Sequence, residues 1–214
     1  ARRQRQMCIR DRYSRDRKTQ TDIFTGVFAV EIPLQEFERA AQRLKGVLHH
    51  TELDLSATFS AMTGGNIYLK YENSQKTGSF KIRGASNKIA ALVERGETGA
   101  VVASSAGNHA QGVAYAAHRF GIPATIVMPK TAPIAKAKAT EGYGATVVLA
   151  GDCYDDAYAK ACEICEQEHA TFLHPYNDPE VIAGQGTLGL EILGDLPTAD
   201  VVIVPAGGGG LLAG

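Results

Sequence analysis

Tryptophan is missing from this 214-residue chain, and methionine and cysteine are scarce, with three and four copies. Four cysteines in a chain this long do not make a disulfide framework, so an apolar core has to hold the fold, and a reducing, cytoplasmic setting is the default. No run of uncharged apolar residues is long enough to span a bilayer, so no membrane-embedded partner is expected. No internal repeat or low-complexity tract appears, which argues against a solenoid. Metal signatures are equally thin. Cys162 and Cys165 have CxxC spacing with Cys153, His169 and His174 nearby, but no second CxxC exists and the pair sits within a helical stretch, so no metal is expected there. Asp152, Asp155 and Asp156 lack the glycine and closing glutamate of a calcium loop and read as a helix start. His49, His50 and His118 have no partner motif.

What is present is an ordinary globular composition, 44% hydrophobic and 21% charged, preceded by an abrupt basic arm. The first eighteen residues hold eight Arg or Lys against Asp11 and Asp16; the remainder carries 14 basic against 21 acidic residues, net −7. Met7-Cys8-Ile9-Arg10-Asp11 resembles the translation of a transposon-end adapter, so residues 1–22 are expected to be a non-native arm. The acidic body makes nucleic acid an unsuitable partner. At the other end, an apolar run enters a glycine stretch where a helix should begin, and a chain that continues further is expected.

Helical spacing of apolar residues predicts helices over Leu34–Leu48, Ala85–Arg95, Gly107–Phe120, Ile134–Glu141, Tyr154–His169 and Val181–Leu193. His49–Leu53 reads as a loop and Ile67–Tyr71 as strand-like. Short apolar strands are predicted at Ala100–Ser104, Ala124–Met128, Ala145–Leu149, Thr171–His174 and, as a further buried strand, Val201–Pro205. Near-continuous apolar strands alternating with helices mean βαβ crossovers and a parallel sheet covered on both faces, an α/β fold.

Three stretches carry chemistry. In Thr77–Ala85, Lys81 stands among small and aromatic residues; it is either a snorkelling lysine at a helix start or a buried amine whose pKa burial lowers, as a Schiff-base lysine requires. Ser104–Gly112 offers hydroxyls, the Asn108 amide and a helix N-terminus, which could hold a carboxylate; plain N-capping by Ser105 is the alternative. Pro205–Leu211 contains Gly207, Gly208, Gly209 and Gly210, whose backbone N–H groups could cradle a phosphate. Gly208-x-Gly210-x-x-Ala213 also satisfies a dinucleotide fingerprint, which leaves an oxidoreductase as a reading from a different class. A glycine turn of purely structural purpose is the third reading.

In this order, the three stretches resemble the fold type II pyridoxal-phosphate enzymes, closest to the threonine dehydratases of the serine/threonine dehydratase family. Tyr71-Glu72-Asn73, Val127–Lys130 and Ile182–Thr187 extend the likeness over roughly Leu34 to Gly214. The resemblance implies two domains, each with a mainly parallel sheet flanked by helices: a larger one formed by residues 23–99 and 173–214, and a smaller one, residues 100–172, inserted between them. It implies pyridoxal 5'-phosphate as cofactor, with Lys81 bonded to it and later removing the substrate's α proton. Phe80 would lie beside the ring and Asn108 would bond its phenolic oxygen. Gly207, Gly208, Gly209, Gly210 and Leu211 would donate backbone N–H groups to the phosphate. Ser105, Ala106, Gly107, Asn108 and His109 would form the substrate-carboxylate pocket. The implied reaction converts L-threonine to 2-oxobutanoate and ammonia, and L-serine to pyruvate, in isoleucine biosynthesis or threonine catabolism, by a homo-oligomer when full length. Serine racemases and other hydroxy-amino-acid dehydratases are the near alternatives, and a catalytically dead, ligand-binding relative is a further one. Serine racemases of this type carry a second serine where Ala106 stands, and alanine cannot transfer a proton, so elimination is expected over racemisation.

Overall fold

The computed structural model describes residues 31–214, so the arm expected over residues 1–22 lies outside the described part. Helix α1 (Leu34–Leu44) ends earlier than its apolar spacing suggests, because Gly46 turns the chain through a left-handed conformation at φ 73°. Strand β1 (Leu53–Leu55) and helix α2 (Ala57–Thr63) follow, where the sequence suggested only a loop at first. Both are too short for a period to show, and a tertiary pairing makes the strand: β1 runs antiparallel to β2 (Tyr68–Lys70).

Helix α3 (Lys81–Glu94) begins at Lys81 itself, four residues before its predicted start. Then comes a regular alternation of β3 (Val101–Ser104), α4 (Asn108–Phe120), β4 (Ala124–Met128), α5 (Ile134–Gly142), β5 (Thr146–Leu149), α6 (Tyr154–Glu168), β6 (Thr171–Phe172) and α7 (Pro179–Asp195). The acidic run does start a helix: Asp156 Oδ2 accepts from the N–H groups of Asp152 (2.9 Å) and Cys153 (3.2 Å).

Strands β3 to β6 form one parallel sheet in the order β5-β4-β3-β6. Alternate residues serve opposite faces. Val101, Ala103, Ile126 and Met128 pack with Ala85, Ile89 and Leu92 of α3 and with the alanine-rich α4; Val102 and Val127 pack with Ala157, Ala161 and Ile164 of α6. Each such fully buried aliphatic side chain contributes about 1.5–3 kcal/mol over leaving it in water, which is why these strands read as unbroken apolar runs. Small residues let helices cross closely. A Cβ on Gly84 would meet Val181 O of α7 at 2.7 Å, and one on Gly184 would meet Arg83 O at 2.7 Å.

The buried strand expected at Val201–Pro205 does not form. The segment has no strand assignment, with Val201 77% and Ile203 88% exposed. An apolar run becomes a strand only where a neighbour completes its ladder, and among the described residues none does. After it, the glycines close a single turn through Ala213 N–H donating to Gly209 O (2.9 Å) rather than opening a helix.

Candidate active site

The strand order reverses at β3. The chain steps outward from β3 to β4 and β5, then returns to place β6 on the other side of β3. Loops leaving the carboxyl ends of β3 and β6 therefore diverge and open a crevice, the usual ligand position in a parallel sheet. Residues 105–107 leave β3 there and residues 173–178 leave β6.

Lys81 reaches this crevice from the first turn of α3. Its Nζ donates to Pro175 O at 2.7 Å and lies 5.3 Å from the Phe80 ring centroid. Burial holds its pKa below the usual lysine value. Both sequence readings of Lys81 meet here: it does start a helix, and its half-buried amine donates to a neutral carbonyl. The neighbouring α4 comes very close, because a Cβ on Gly112 would stand 3.1 Å from the Lys81 carbonyl.

Ser105 does not cap α4. Its hydroxyl accepts from Gly107 N–H at 3.2 Å and its own N–H donates to Val127 O at 3.1 Å, so α4 begins at Gly107 with no side-chain cap. The first-turn N–H groups of that helix stay available to an anion. His109 is buried, and its Nε2 bonds Leu173 O at 3.0 Å. Burial first, then the nearby Lys81 charge, push its pKa down to about 4, so it is a neutral imidazole with Nδ1 as an acceptor. That buried Nδ1 has no protein partner. Asn108 stands apart from this cluster: it is exposed, and its Oδ1 accepts from Lys136 Nζ of α5 at 3.4 Å. Ala106 packs its methyl against the core below the loop.

The glycine stretch joins Lys81 through Tyr176. A Cβ on Gly208 would stand 2.5 Å from the Tyr176 ring, and one on Gly210 2.6 Å from Tyr176 O; Gly209 adopts φ 83°. Gly207 and Leu211 flank the contact, Gly207 exposed and Leu211 half-buried. The structure thus gathers Lys81, His109 and the glycine turn around one segment, Leu173–Tyr176, which the sequence reading passed over as a site. The signal that could have exposed it is the turn-rich run His174–Pro179 directly after a predicted strand.

Two other readings lose ground. The dinucleotide fingerprint needs a strand before its glycines, and residues 201–205 form none. Cys153, Cys162 and Cys165 are free thiols, and burial raises the Cys165 pKa to about 11. Among the described residues, no group of His, Cys, Asp and Glu is arranged to hold a metal ion, and no helix is long and apolar enough to cross a membrane.

The sequence profile of the family described as "Pyridoxal-phosphate dependent enzyme" matches residues 45–214. The chain belongs to that family. It is 59% identical to an L-threonine ammonia-lyase of Thermotoga maritima over 86% of this chain and 46% of that protein. Among solved structures, maize serine racemase superposes with a TM-score of 0.81 at 38% identity, covering 86% of this chain and 56% of that one. The processed form of threonine deaminase isoform 2 from Solanum lycopersicum does so with a TM-score of 0.77 at 38% identity, covering 84% and 51%. The chain thus spans about half the length of these relatives. Its fold is the type II fold of this family, an α/β arrangement around a parallel sheet.

Proposed function

We propose that this chain carries the lysine, phosphate turn and carboxylate pocket of a pyridoxal-phosphate-dependent threonine dehydratase, acting on free L-threonine and L-serine. The observation that carries the reading is the Lys81 amine: it is half-buried, depressed in pKa, bonded to a neutral carbonyl, and set at the junction of the other two motifs. The residues present fit the cofactor. A Schiff-base lysine has to lose its proton near neutral pH, which burial favours. A phosphate needs backbone donors in a turn free of side chains, and the glycine turn of Gly207, Gly208, Gly209 and Gly210, leading into Leu211, offers one. The buried Nδ1 of His109, without a hydrogen-bond partner among the described residues, supports a polar group bound beside it.

When bound, pyridoxal phosphate supplies an electron sink for the α carbon. Lys81 would hold it, and its neutral amine, when free, would accept the substrate's α proton. Phe80 would lie beside the cofactor ring; its own ring centroid is 5.3 Å from the Lys81 amine. Ser105, Ala106, Gly107 and His109, with the uncapped start of α4, would bind the substrate carboxylate and so orient the α carbon toward Lys81. Asn108 reaches the ring from the same turn in this reading, releasing Lys136. Loss of the β-hydroxyl and then of nitrogen gives the 2-oxo acid and ammonia. Residues 100–172 are read as the smaller unit, and the free Cys153, Cys162 and Cys165 support a reducing cytoplasm.

Racemisation is the second reading, favoured by the likeness to maize serine racemase. Ala106 opposes it, because a methyl group cannot deliver a proton to the face opposite Lys81. The test uses the full-length protein. Borohydride reduction should fix the cofactor on the peptide containing Lys81, and L-threonine should yield 2-oxobutanoate with no D-amino acid. Labelling elsewhere, or D-serine formation faster than pyruvate formation, would overturn the assignment.

A further inference from the structure

The turn that links Lys81 to the glycine stretch hangs on one imidazole. His174 Nδ1 accepts from two backbone N–H groups at once, Tyr176 at 3.2 Å and Asn177 at 2.8 Å. This fixes the tautomer, since Nδ1 must offer its lone pair and the proton sits on Nε2. The ring is also held by stacking. It lies edge-on to Tyr176 at 4.6 Å between centroids, and to Phe172 of β6 at 6.3 Å. The two residues it organises are the ones the site depends on: Pro175, whose carbonyl accepts from Lys81, and Tyr176, whose ring and backbone fill the space left open by Gly208 and Gly210.

On the reading that this is a pyridoxal-phosphate site, we propose that His174 is a positioning residue: its unprotonated Nδ1 holds the Pro175–Tyr176 turn, and through it the glycine turn, in the phosphate-binding arrangement. A proton on Nδ1 removes the lone pair and breaks both backbone bonds together, so the arrangement is lost in acid. The charged and titratable groups facing the ring are Lys81 from α3, His109 from α4 and Asp178 at the start of α7, itself paired with Lys88 at 2.9 Å. Burial and then the Lys81 charge lower the His174 pKa, with Asp178 opposing them. The sign follows: the unfolded chain binds this proton more readily than the folded one, so the turn is intact above the ordinary imidazole pKa and weakens as pH falls below it.

The experiment compares the full-length wild type with His174→Asn and His174→Leu. An asparagine carbonyl can accept the same two N–H bonds as an Asx turn and does not titrate; leucine can do neither. Two readouts are taken across pH: amide hydrogen exchange at Tyr176 and Asn177, which needs no cofactor, and the dissociation constant for pyridoxal phosphate by equilibrium dialysis. The wild type should lose protection and affinity together in acid. His174→Asn should keep both and lose the acid sensitivity, and His174→Leu should bind about tenfold more weakly than wild type at neutral pH with no further loss in acid, the equivalent of losing such a bond pair. Unchanged affinity in His174→Leu, or His174→Asn as weak as His174→Leu, would overturn the role, the latter by showing that the ring and not the acceptor matters. Failure of the wild type to take up pyridoxal phosphate at any pH would bring down the functional reading, and this role with it.

Discussion

Lys81 and Arg83 lie two residues apart on the same helix, and the protein treats their charges in opposite ways. Arg83 is fully buried and fully paired. Its guanidinium donates to Glu72 at 2.7 and 2.8 Å, to Glu191 at 2.7 and 2.9 Å, and to Thr187 at 3.2 Å, and these partners raise its pKa against the cost of burial. Lys70 joins the same cluster, 2.9 Å from Glu191. Among the described residues Lys81 has no carboxylate partner, only the Pro175 carbonyl, and burial lowers its pKa. A buried cation with matched anions is locked as a cation and fixes geometry; one given only a neutral acceptor is free to lose its proton. The first holds α3 to α7; the second, on the proposed function, is kept for proton transfer.

Replacing each residue should separate the two roles. Lys81→Ala is expected to cut 2-oxo acid formation by about 10³-fold or more, the scale of a removed proton-transfer group, and to abolish borohydride fixation, with thermal unfolding near wild type. Arg83→Met should do the reverse. It leaves Glu72 without its cation and Glu191 with Lys70 alone, and urea unfolding should show a loss of about 3–5 kcal/mol. A protein as stable as wild type would mean that the cluster does not hold the helices. Gly84→Ala tests the ground between them, because the new methyl would meet Val181 O and push α3 off α7. A stability loss of about 1–3 kcal/mol is expected, with weaker cofactor binding if the displacement reaches Lys81.

The smallest effect is a pH signature. In cofactor-free protein, Lys81→Met should unfold at slightly higher urea than wild type near neutral pH. The lowered folded pKa means that burying the ammonium costs stability below that pKa, and wild type recovers it as pH rises towards the ordinary lysine value. The gain should therefore shrink in alkaline solution. A gain independent of pH would show that packing, and not the buried charge, is responsible.

Most of the helices and the sheet strands from Val101 to Phe172 were legible as periodic or unbroken apolar runs, with ends displaced by a few residues. Strand β1 was not, since three residues carry no period and its existence rests on pairing with β2. Val201–Val204 shows the converse: a strong apolar run that stays irregular where no neighbour completes a ladder. At the site, the lysine and the two loops stood out by residue type alone. The segment Leu173–Tyr176 did not, because its part in the site comes from where β6 lies, on the far side of β3.

By itself the sequence determined the alternation of strands and helices, the small residues that permit close crossings, and the residue types able to carry an amine, a phosphate turn and a carboxylate pocket. Those depend on local pattern and side-chain chemistry. Only the tertiary structure decided that Arg83 is paired while Lys81 is not, and that His174 accepts both N–H bonds of its turn. It also decided that three stretches distant in the chain meet at the β3–β6 crevice. Burial, strand order and charge pairing are contacts between residues far apart in sequence, and no local pattern encodes them.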